Sequence, residues 1–159
     1  RPRPEVDGGK KLNLSMSPEE VKLFVATKAF IFCRDKVLIL RESAKYDEGA
    51  NTGKYDVAGG RMKPGQRFDE SLKREVREET GLEVEIQEPF FVDEWRPVVK
   101  NEQWQIVGIF FRCVSDSDRV ILSQDHDQFL WIEPREYKRY PLIENLHPAF
   151  EMYLSKTFL

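Results

Sequence analysis

The sequence predicts an α/β domain in which a mixed β-sheet is flanked by helices. Apolar runs typical of strands occur on both sides of one strongly helical segment, and a second helical segment lies near the end of the chain. This order of strands, helix, further strands and helix is typical of a mixed sheet with helices packed on it. At 159 residues the chain is long enough for one domain with its own core, and we expect that domain over residues 18–159.

The composition is that of an ordinary globular protein. Hydrophobic residues make up 40% of the chain and charged residues 33%, with a formal net charge of -3. A net negative charge argues against nucleic acid as the main partner, and no run approaches the ~20 apolar residues of a membrane span. Cys33 and Cys113 lie in apolar runs, so we expect buried free thiols rather than a disulfide. These features favour a cytoplasmic protein, and they leave its oligomeric state open between a monomer and a homodimer.

An arm, a hairpin and a long loop are predicted in the first 66 residues. Residues 1–17 form a predicted flexible arm, because the stretch begins with a charged segment rich in proline and glycine and without period. Ser17 and Pro18 carry a helix-start pattern. Two β-rich runs, LFVATKAFIFC and VLILRES, flank the polar RDK and predict a hairpin. Residues 45–66 contain five glycines and no helical period, which is typical of a long functional loop, apart from a strand ending at YDV.

The remaining elements follow from residue 67 onwards. Residues 67–80 predict a helix that ends at Gly81, the residue type favoured just past a helix end. Strands are predicted within LEVEIQEPFFVDEW, QWQIVGIFFRCV and QFLWIE. A short helix is predicted from Pro134, and a last one in HPAFEMYLSKTF, with Pro148 at its first position.

Three glutamates lie close together on the predicted helix, in the stretch REVREET. At ~100° per residue, Glu79 points into the apolar arc of the helix, Glu75 borders that arc, and Glu78 lies on the other side of Glu75. Carboxylates beside a core are unfavourable unless they are paired or neutralised. Spacing alone leaves two interpretations: a divalent cation such as Mg²⁺ held by the three carboxylates, or a solvated acidic face with Glu79 paired to a lysine or arginine.

The segment before the helix favours the metal interpretation. GGRMKPGQ joins a strand ending in YDV to the helix start. Exposed amides and carbonyls of such a glycine-rich loop can approach phosphate or metal closely. Clustered glutamates on the helix that follows this loop are therefore better explained by a shared ion than by a solvated face.

Residues 60–82, GRMKPGQRFDESLKREVREETGL, resemble the Nudix box, G-x5-E-x7-R-E-U-x-E-E-x-G-U, where U is aliphatic. The single departure is Gln66, where the family has glutamate. The hairpin, the later strands and the last helix also resemble the Nudix fold, over residues 22–157, which implies an α/β/α sandwich. Matching positions are Gly60, Arg74, Glu75, Val76, Glu78, Glu79, Gly81 and Leu82.

The resemblance implies a hydrolase that depends on Mg²⁺ or Mn²⁺ and cleaves a nucleoside diphosphate linked to a further group. Glu75, Glu78 and Glu79 would bind the metal and act in catalysis, helped by the backbone carbonyl of Gly59. The expected partner is a small-molecule nucleotide. We expect a nucleoside triphosphate, oxidised forms included, with ADP-ribose, a nucleotide sugar or a dinucleoside polyphosphate as alternatives.

Two residues depart from what this family usually carries. Arg74 is implied to pair with the residue at position 66, where Gln66 can accept a hydrogen bond but cannot form an ion pair. Ala58 replaces a proline that is common before the glycine pair. These two departures are the support for an alternative, a nucleotide-binding module with the fold but with weak or no turnover.

Several acidic residues are candidates for the general base, and the sequence does not choose between them. A box glutamate or Asp125, in SQDHDQFLW, is the candidate that the resemblance implies. Asp127, Glu102 and a purely structural turn are the alternatives. His126, between two aspartates in a polar stretch, is expected at the surface.

Substrate contacts are assigned to cations, one asparagine and aromatic side chains. Arg41 and Arg61 are candidates for contacts with the phosphates, with solvated surface cations as the alternative. Asn145 resembles an asparagine that reads a purine edge, and a cap of the last helix is its alternative role. One or two aromatic residues could stack a base. The candidates are Trp95, Trp104, Phe111 and Trp131.

Overall fold

The computed structural model describes residues 20–45 and 51–156. The predicted arm and the helix start at Ser17 lie outside these residues. The strands are β1 (Val21–Cys33), β2 (Lys36–Glu42), β3 (Tyr55–Asp56), β4 (Ala58–Arg61), β5 (Glu85–Trp95), β6 (Val98–Val99), β7 (Glu102–Val114) and β8 (His126–Ile132). The helices are α1 (Phe68–Thr80) and α2 (Leu146–Ser155), with a 3-10 segment at Pro134–Arg139. Neither helix of this described part is long and apolar enough to cross a membrane.

The eight strands of the described residues form one mixed sheet with β1 at its centre. On one side, β1 runs parallel to β7 from Val21 to Phe32. On the other side, it pairs antiparallel with β2 and with β4. The sheet is extended by β5 and β6, both antiparallel to β7, and by β3 and β8, both antiparallel to β2. The parallel β1–β7 pair makes the sheet mixed, as the sequence predicts.

Alternation along β1 gives the sheet two apolar faces, because successive strand residues point to opposite sides. Ala29 and Ile31 lie in the core on the α1 side, whereas Phe30 and Phe32 lie in the core on the α2 side. The two helices cover these faces with Leu72 and Val76 of α1 and with Leu146, Ala149 and Phe150 of α2. This arrangement confirms the predicted α/β/α sandwich.

The hairpin and α1 form where the sequence predicts them. A two-residue turn joins β1 to β2, and Arg34 in that turn adopts a positive φ of 60°. α1 begins one residue later than predicted, at Phe68, and ends before Gly81. Gly81 has φ 73°, and its backbone N–H donates to the carbonyl of Arg77. Both elements depend on local sequence signals, the strand-turn-strand pattern and the helix-ending glycine.

Three details of the predicted elements differ from the structure. The loop predicted for residues 45–66 also contains β4 (Ala58–Arg61), because this short segment pairs antiparallel with β1. The last helix begins at Leu146, so Pro148 occupies its third position rather than its first. The short helix at Pro134–Arg139 is a 3-10 segment.

Both cysteines are buried free thiols, as predicted. Cys33 and Cys113 make no disulfide. Burial raises the pKa of the Cys113 thiol to about 12. Since the thiolate is the reactive form, Cys113 is chemically inert in the folded chain at neutral pH.

Gly108 in β7 makes room for the side chain of Trp95. A Cβ at position 108 would lie 2.4 Å from Cη2 and 2.9 Å from Cζ3 of that ring. We therefore expect Gly108→Ala to displace Trp95 and to lower the free energy of unfolding by about 1–3 kcal/mol, measured by urea denaturation. In a Trp95→Ala background the same substitution should have little effect. An equal loss in both backgrounds would show that the ring is not the cause.

Candidate active site

The glycine pair of β4 lies between β1 and the helix that carries the glutamates. Lys28 of β1 is paired with Gly59, and a Cβ on Gly59 would lie 2.1 Å from the backbone oxygen of Thr27. A Cβ on Gly60 would lie 3.0 Å from the carboxylate of Glu75. Glycine at both positions therefore lets the backbone of β4 run directly beside the acidic face of α1.

Glu79 is a partly buried carboxylate at this junction. The backbone N–H of Gly59 donates to its Oε1 over 3.4 Å. Burial raises the pKa of Glu79 well above its ordinary value, the neighbouring Glu75 carboxylate raises that pKa further, and Lys28 lowers it. Two carboxylates so placed repel each other unless a proton or a cation lies between them. The site is therefore suited to binding positive charge.

Arg74 pairs with the other two glutamates. Its Nη1 donates to both carboxylate oxygens of Glu78 at 3.2 Å, and its Nη2 donates to Glu75 at 3.5 Å. Glu78 is therefore turned towards Arg74, while Glu75 and Glu79 line the cavity described below. Within residues 20–45 and 51–156, no three acidic, histidine or cysteine side chains are grouped as a ready metal cage.

The ion pair between Arg74 and position 66 has no counterpart in this chain. The amide oxygen of Gln66 instead accepts a hydrogen bond from the backbone N–H of Lys63, over 3.4 Å. The backbone N–H of Gln66 in turn donates to the carbonyl of Lys63 at 3.1 Å. Gln66 thus stabilises its own turn through Lys63, and Arg74 pairs with Glu75 and Glu78 of α1 instead.

A cavity of about 830 Å³ opens beside the glycine pair. Its polar lining includes Glu75, Glu79 and Arg61, and its apolar lining includes Phe24 and Ile106. This size and mixed character are those of a site for a small organic ligand.

A smaller cavity of about 200 Å³ adjoins the first. The residues that line both cavities are Lys28, Gly59, Glu79 and Asp125. Lys28, whose side chain is only 12% exposed, pairs with Asp56 at 2.9 Å. The sequence interpretation missed Lys28, although a single lysine inside the apolar run VATKAFIFC is a detectable signal.

The acidic candidates for the general base lie in different places. Asp125 is exposed and lines both cavities near Glu79. Asp127 pairs with Arg41 at 2.7 Å, and Glu102 pairs with Lys22 at 2.7 Å. Of these three candidates, Asp125 alone lines the cavities.

The expectation that His126 lies at the surface is wrong. The residue is half-buried and lines the smaller cavity, and its Nδ1 is buried without a hydrogen-bond partner among the described residues. Burial lowers the pKa of His126, against the opposing effect of Asp56 and Asp125. The neutral ring is therefore favoured at neutral pH.

The predicted substrate contacts are only partly brought together. Arg61 lines the larger cavity, whereas Arg41 lines neither cavity and is bound to Asp127. Asn145 also lines neither cavity. It precedes the first residue of α2, but its side chain makes no capping hydrogen bond, so the alternative role is not observed either.

The four aromatic candidates have three different environments. Trp95 lines the larger cavity. Trp104 contacts Arg61, whose Cζ lies 4.5 Å from its ring centroid. Phe111 is buried in the core on the α1 side, Trp131 packs partly buried against it, and neither lines the two cavities.

Known proteins resemble this chain over most of its length. Residues 22–153 match the family model of the NUDIX domain. The nucleoside triphosphatase NudI of Escherichia coli K12 is 31% identical over 103 residues, which cover 60% of this chain and 73% of that protein.

Solved structures show the same fold. The MutT protein from Methanosarcina mazei Go1 superimposes with a TM-score of 0.74 at 24% identity, covering 86% of this chain and 96% of that one. An ADP-ribose pyrophosphatase from Streptococcus suis 89-1591 superimposes with a TM-score of 0.62 at 19% identity, covering 86% and 94%. The fold, the box in residues 60–82 and the family match agree: the chain belongs to the Nudix hydrolases and is an enzyme that acts on pyrophosphate bonds.

Proposed function

We propose that this enzyme is a divalent-metal-dependent pyrophosphohydrolase of nucleoside triphosphates, oxidised forms included. The observation that carries the proposal is the Glu75–Glu79 carboxylate pair lining the larger cavity beside the glycine pair of β4. The substrate class is supported by the 31% identity to a nucleoside triphosphatase. The mixed polar and apolar lining of the cavity suits a ligand with both phosphates and a base.

The residues present fit Mg²⁺ or Mn²⁺. Glu79 is a partly buried carboxyl group beside a second one, and carboxylate and carbonyl oxygens are the hard ligands such ions take. Members of this family generally need a divalent ion. Glu75, Glu79 and the carbonyl of Gly59 would hold it, joined by Glu78 once Arg74 releases that side chain. When bound, the ion would supply water activation and neutralise charge on the phosphate oxygens.

The protein's own groups provide positioning and proton transfer. Lys28 lines both cavities and is fixed by Asp56, so its ammonium group can attract a phosphate that enters from either cavity. Asp125 lines the same junction, where its exposed carboxylate can accept a proton from an attacking water. Arg74 balances the charge of Glu75 and Glu78, a charge that a bound ion would balance in its place.

A substrate panel tests this function directly. The purified chain should be assayed with Mg²⁺ and with Mn²⁺ on nucleoside triphosphates, oxidised nucleotides, ADP-ribose, nucleotide sugars and dinucleoside polyphosphates. We expect triphosphates to release pyrophosphate with kcat/KM at least about tenfold above that for ADP-ribose, a difference of ~1.4 kcal/mol in transition-state binding. Preferred cleavage of ADP-ribose would overturn the substrate class. Metal-dependent nucleotide binding without product would instead indicate a binding module.

A further inference from the structure

A guanidinium and two aromatic rings contact one another beside the larger cavity. The Cζ of Arg61 lies 4.8 Å from the ring centroid of Phe24 and 4.5 Å from that of Trp104. The two ring centroids are 4.6 Å apart, with the ring planes tilted by 56°. Phe24 and Arg61 both line the cavity. We call these three residues the Phe24–Arg61–Trp104 platform.

The sheet brings the platform together from three strands. Phe24 lies on β1, and Trp104 on β7 is two residues before Ile106, the parallel partner of Phe24. Arg61 ends β4 and is paired with Ala26, two residues beyond Phe24. The central strand therefore brings Phe24 into contact with both of the other side chains. Diagonal neighbours of this kind are within reach of aromatic and long side chains.

The packing of the protein does not explain the platform. Neither Phe24 nor Trp104 belongs to either apolar core. Arg61 is exposed and makes no ion pair with a carboxylate of the described residues. The adjacent cavity wall also exposes Leu23, by 64%. Apolar surface left open at a cavity wall is typical of a ligand-binding region rather than of a folding requirement.

The platform is held in place before any ligand arrives. The indole N–H of Trp104 donates to Glu102 at 3.1 Å, and Glu102 pairs with Lys22 at 2.7 Å. The rings of Phe24 and Trp104 in turn hold the guanidinium of Arg61, which keeps its N–H groups available for hydrogen bonds in its plane. A surface that is already fixed loses little entropy when a ligand binds to it.

We propose that the Phe24–Arg61–Trp104 platform binds the nucleobase of the substrate. This inference rests on the proposed function, in which Glu75 and Glu79 would hold a divalent ion that binds the phosphates in another part of the same cavity. Nucleobases stack on aromatic rings and on guanidinium planes, and every base offers such a face. The carbonyl oxygens and ring nitrogens at their edges can accept hydrogen bonds from the N–H groups of Arg61. The platform thereby sets affinity for the nucleoside rather than the rate of bond cleavage.

Steady-state kinetics with three variants test the platform. Phe24→Ala, Trp104→Ala and Arg61→Lys should each raise KM for a nucleoside triphosphate about tenfold, as expected for the loss of one base contact, with kcat within about twofold of the parent. Inorganic triphosphate has no base, so its inhibition constant should be the same in all three variants as in the parent. Arg139→Lys is the matched control, because Arg139 is exposed and pairs with Glu136.

The inhibition constant separates base binding from phosphate binding. If Arg61 contacts phosphate instead, Arg61→Lys will raise the inhibition constant of inorganic triphosphate as much as it raises KM for the nucleotide. The inference is then wrong. Unchanged KM values for the nucleotide in all three variants would also overturn it, without affecting the proposed function.

Fluorescence tests the platform even if the parent shows no turnover. A nucleoside monophosphate without metal should quench the tryptophan emission of the parent. Trp104→Phe should reduce that quench by roughly half or more, since base stacking on this indole would be lost. Trp131→Phe should leave it unchanged, because Trp131 packs against the core on the α1 side. Equal quenching in Trp104→Phe and the parent would contradict the inference.

Discussion

Glu79→Gln is expected to lower the turnover of nucleoside triphosphates about 100-fold or more at saturating Mg²⁺, as removal of a charge-stabilising group at a reaction centre does. Glu79 is the glutamate that lines both cavities, and it accepts a hydrogen bond from the backbone N–H of Gly59. Glutamine keeps the size of the side chain but removes the negative charge that a divalent ion needs. The measurement is the rate of pyrophosphate release against metal concentration.

The same substitution should leave the fold intact. The amide oxygen of glutamine can still accept the hydrogen bond from Gly59, and the repulsion between Glu79 and Glu75 disappears. We therefore expect the free energy of unfolding without metal to stay within about 1 kcal/mol of the parent or to rise. Urea denaturation measures this value. A variant that loses activity because it unfolds would not support the metal assignment.

Glu70→Gln is the matched control on the same helix. Glu70 is exposed in the first turn of α1 and lines neither cavity. Its replacement should leave turnover and metal dependence unchanged. If Glu79→Gln behaves like this control, Glu79 does not bind the catalytic ion, and the proposed role of the acidic face of α1 is wrong.

Helix α1 and its acidic face could be predicted because their signals are local. The apolar residues repeat with helical spacing, and Gly81 marks the end of the helix within a few positions. The placement of Glu79 on the apolar arc follows from the same geometry, and the structure finds this side chain partly buried. What local spacing could not show is that Arg74 draws Glu78 away, since that depends on the rotamer of an ion pair.

Contacts between distant strands could not be predicted in the same way. Arg41 pairs with Asp127 because β2 and β8 lie side by side, although 86 residues separate the two side chains. The residues of the Phe24–Arg61–Trp104 platform come from three strands whose pairing has no local signal. Register between strands is set by the whole sheet, so a sequence suggests the residue types without their neighbours.

Gly59→Ala is expected to be strongly destabilising. The added Cβ would lie 2.1 Å from the backbone oxygen of Thr27 and 2.9 Å from the Cα of Lys28, and neither atom belongs to a side chain that could move aside. Gly59 also has a φ of 145°, a backbone angle that residues other than glycine rarely adopt. We expect the free energy of unfolding to fall by about 3–5 kcal/mol, measured by urea denaturation, from the clash and the backbone strain together.

Gly65→Ala separates backbone strain from the clash. Gly65 lies in the same loop with a positive φ of 90°, but a Cβ there would meet nothing within 4 Å. Its substitution should therefore lower the free energy of unfolding by only about 1–2 kcal/mol, which is the contribution of backbone strain without a clash. Equal losses in the two variants would mean that the contact between β4 and Thr27 is not tight. A larger loss in Gly59→Ala, with turnover abolished in the fraction that still folds, would show that this contact holds Gly59 beside Glu79.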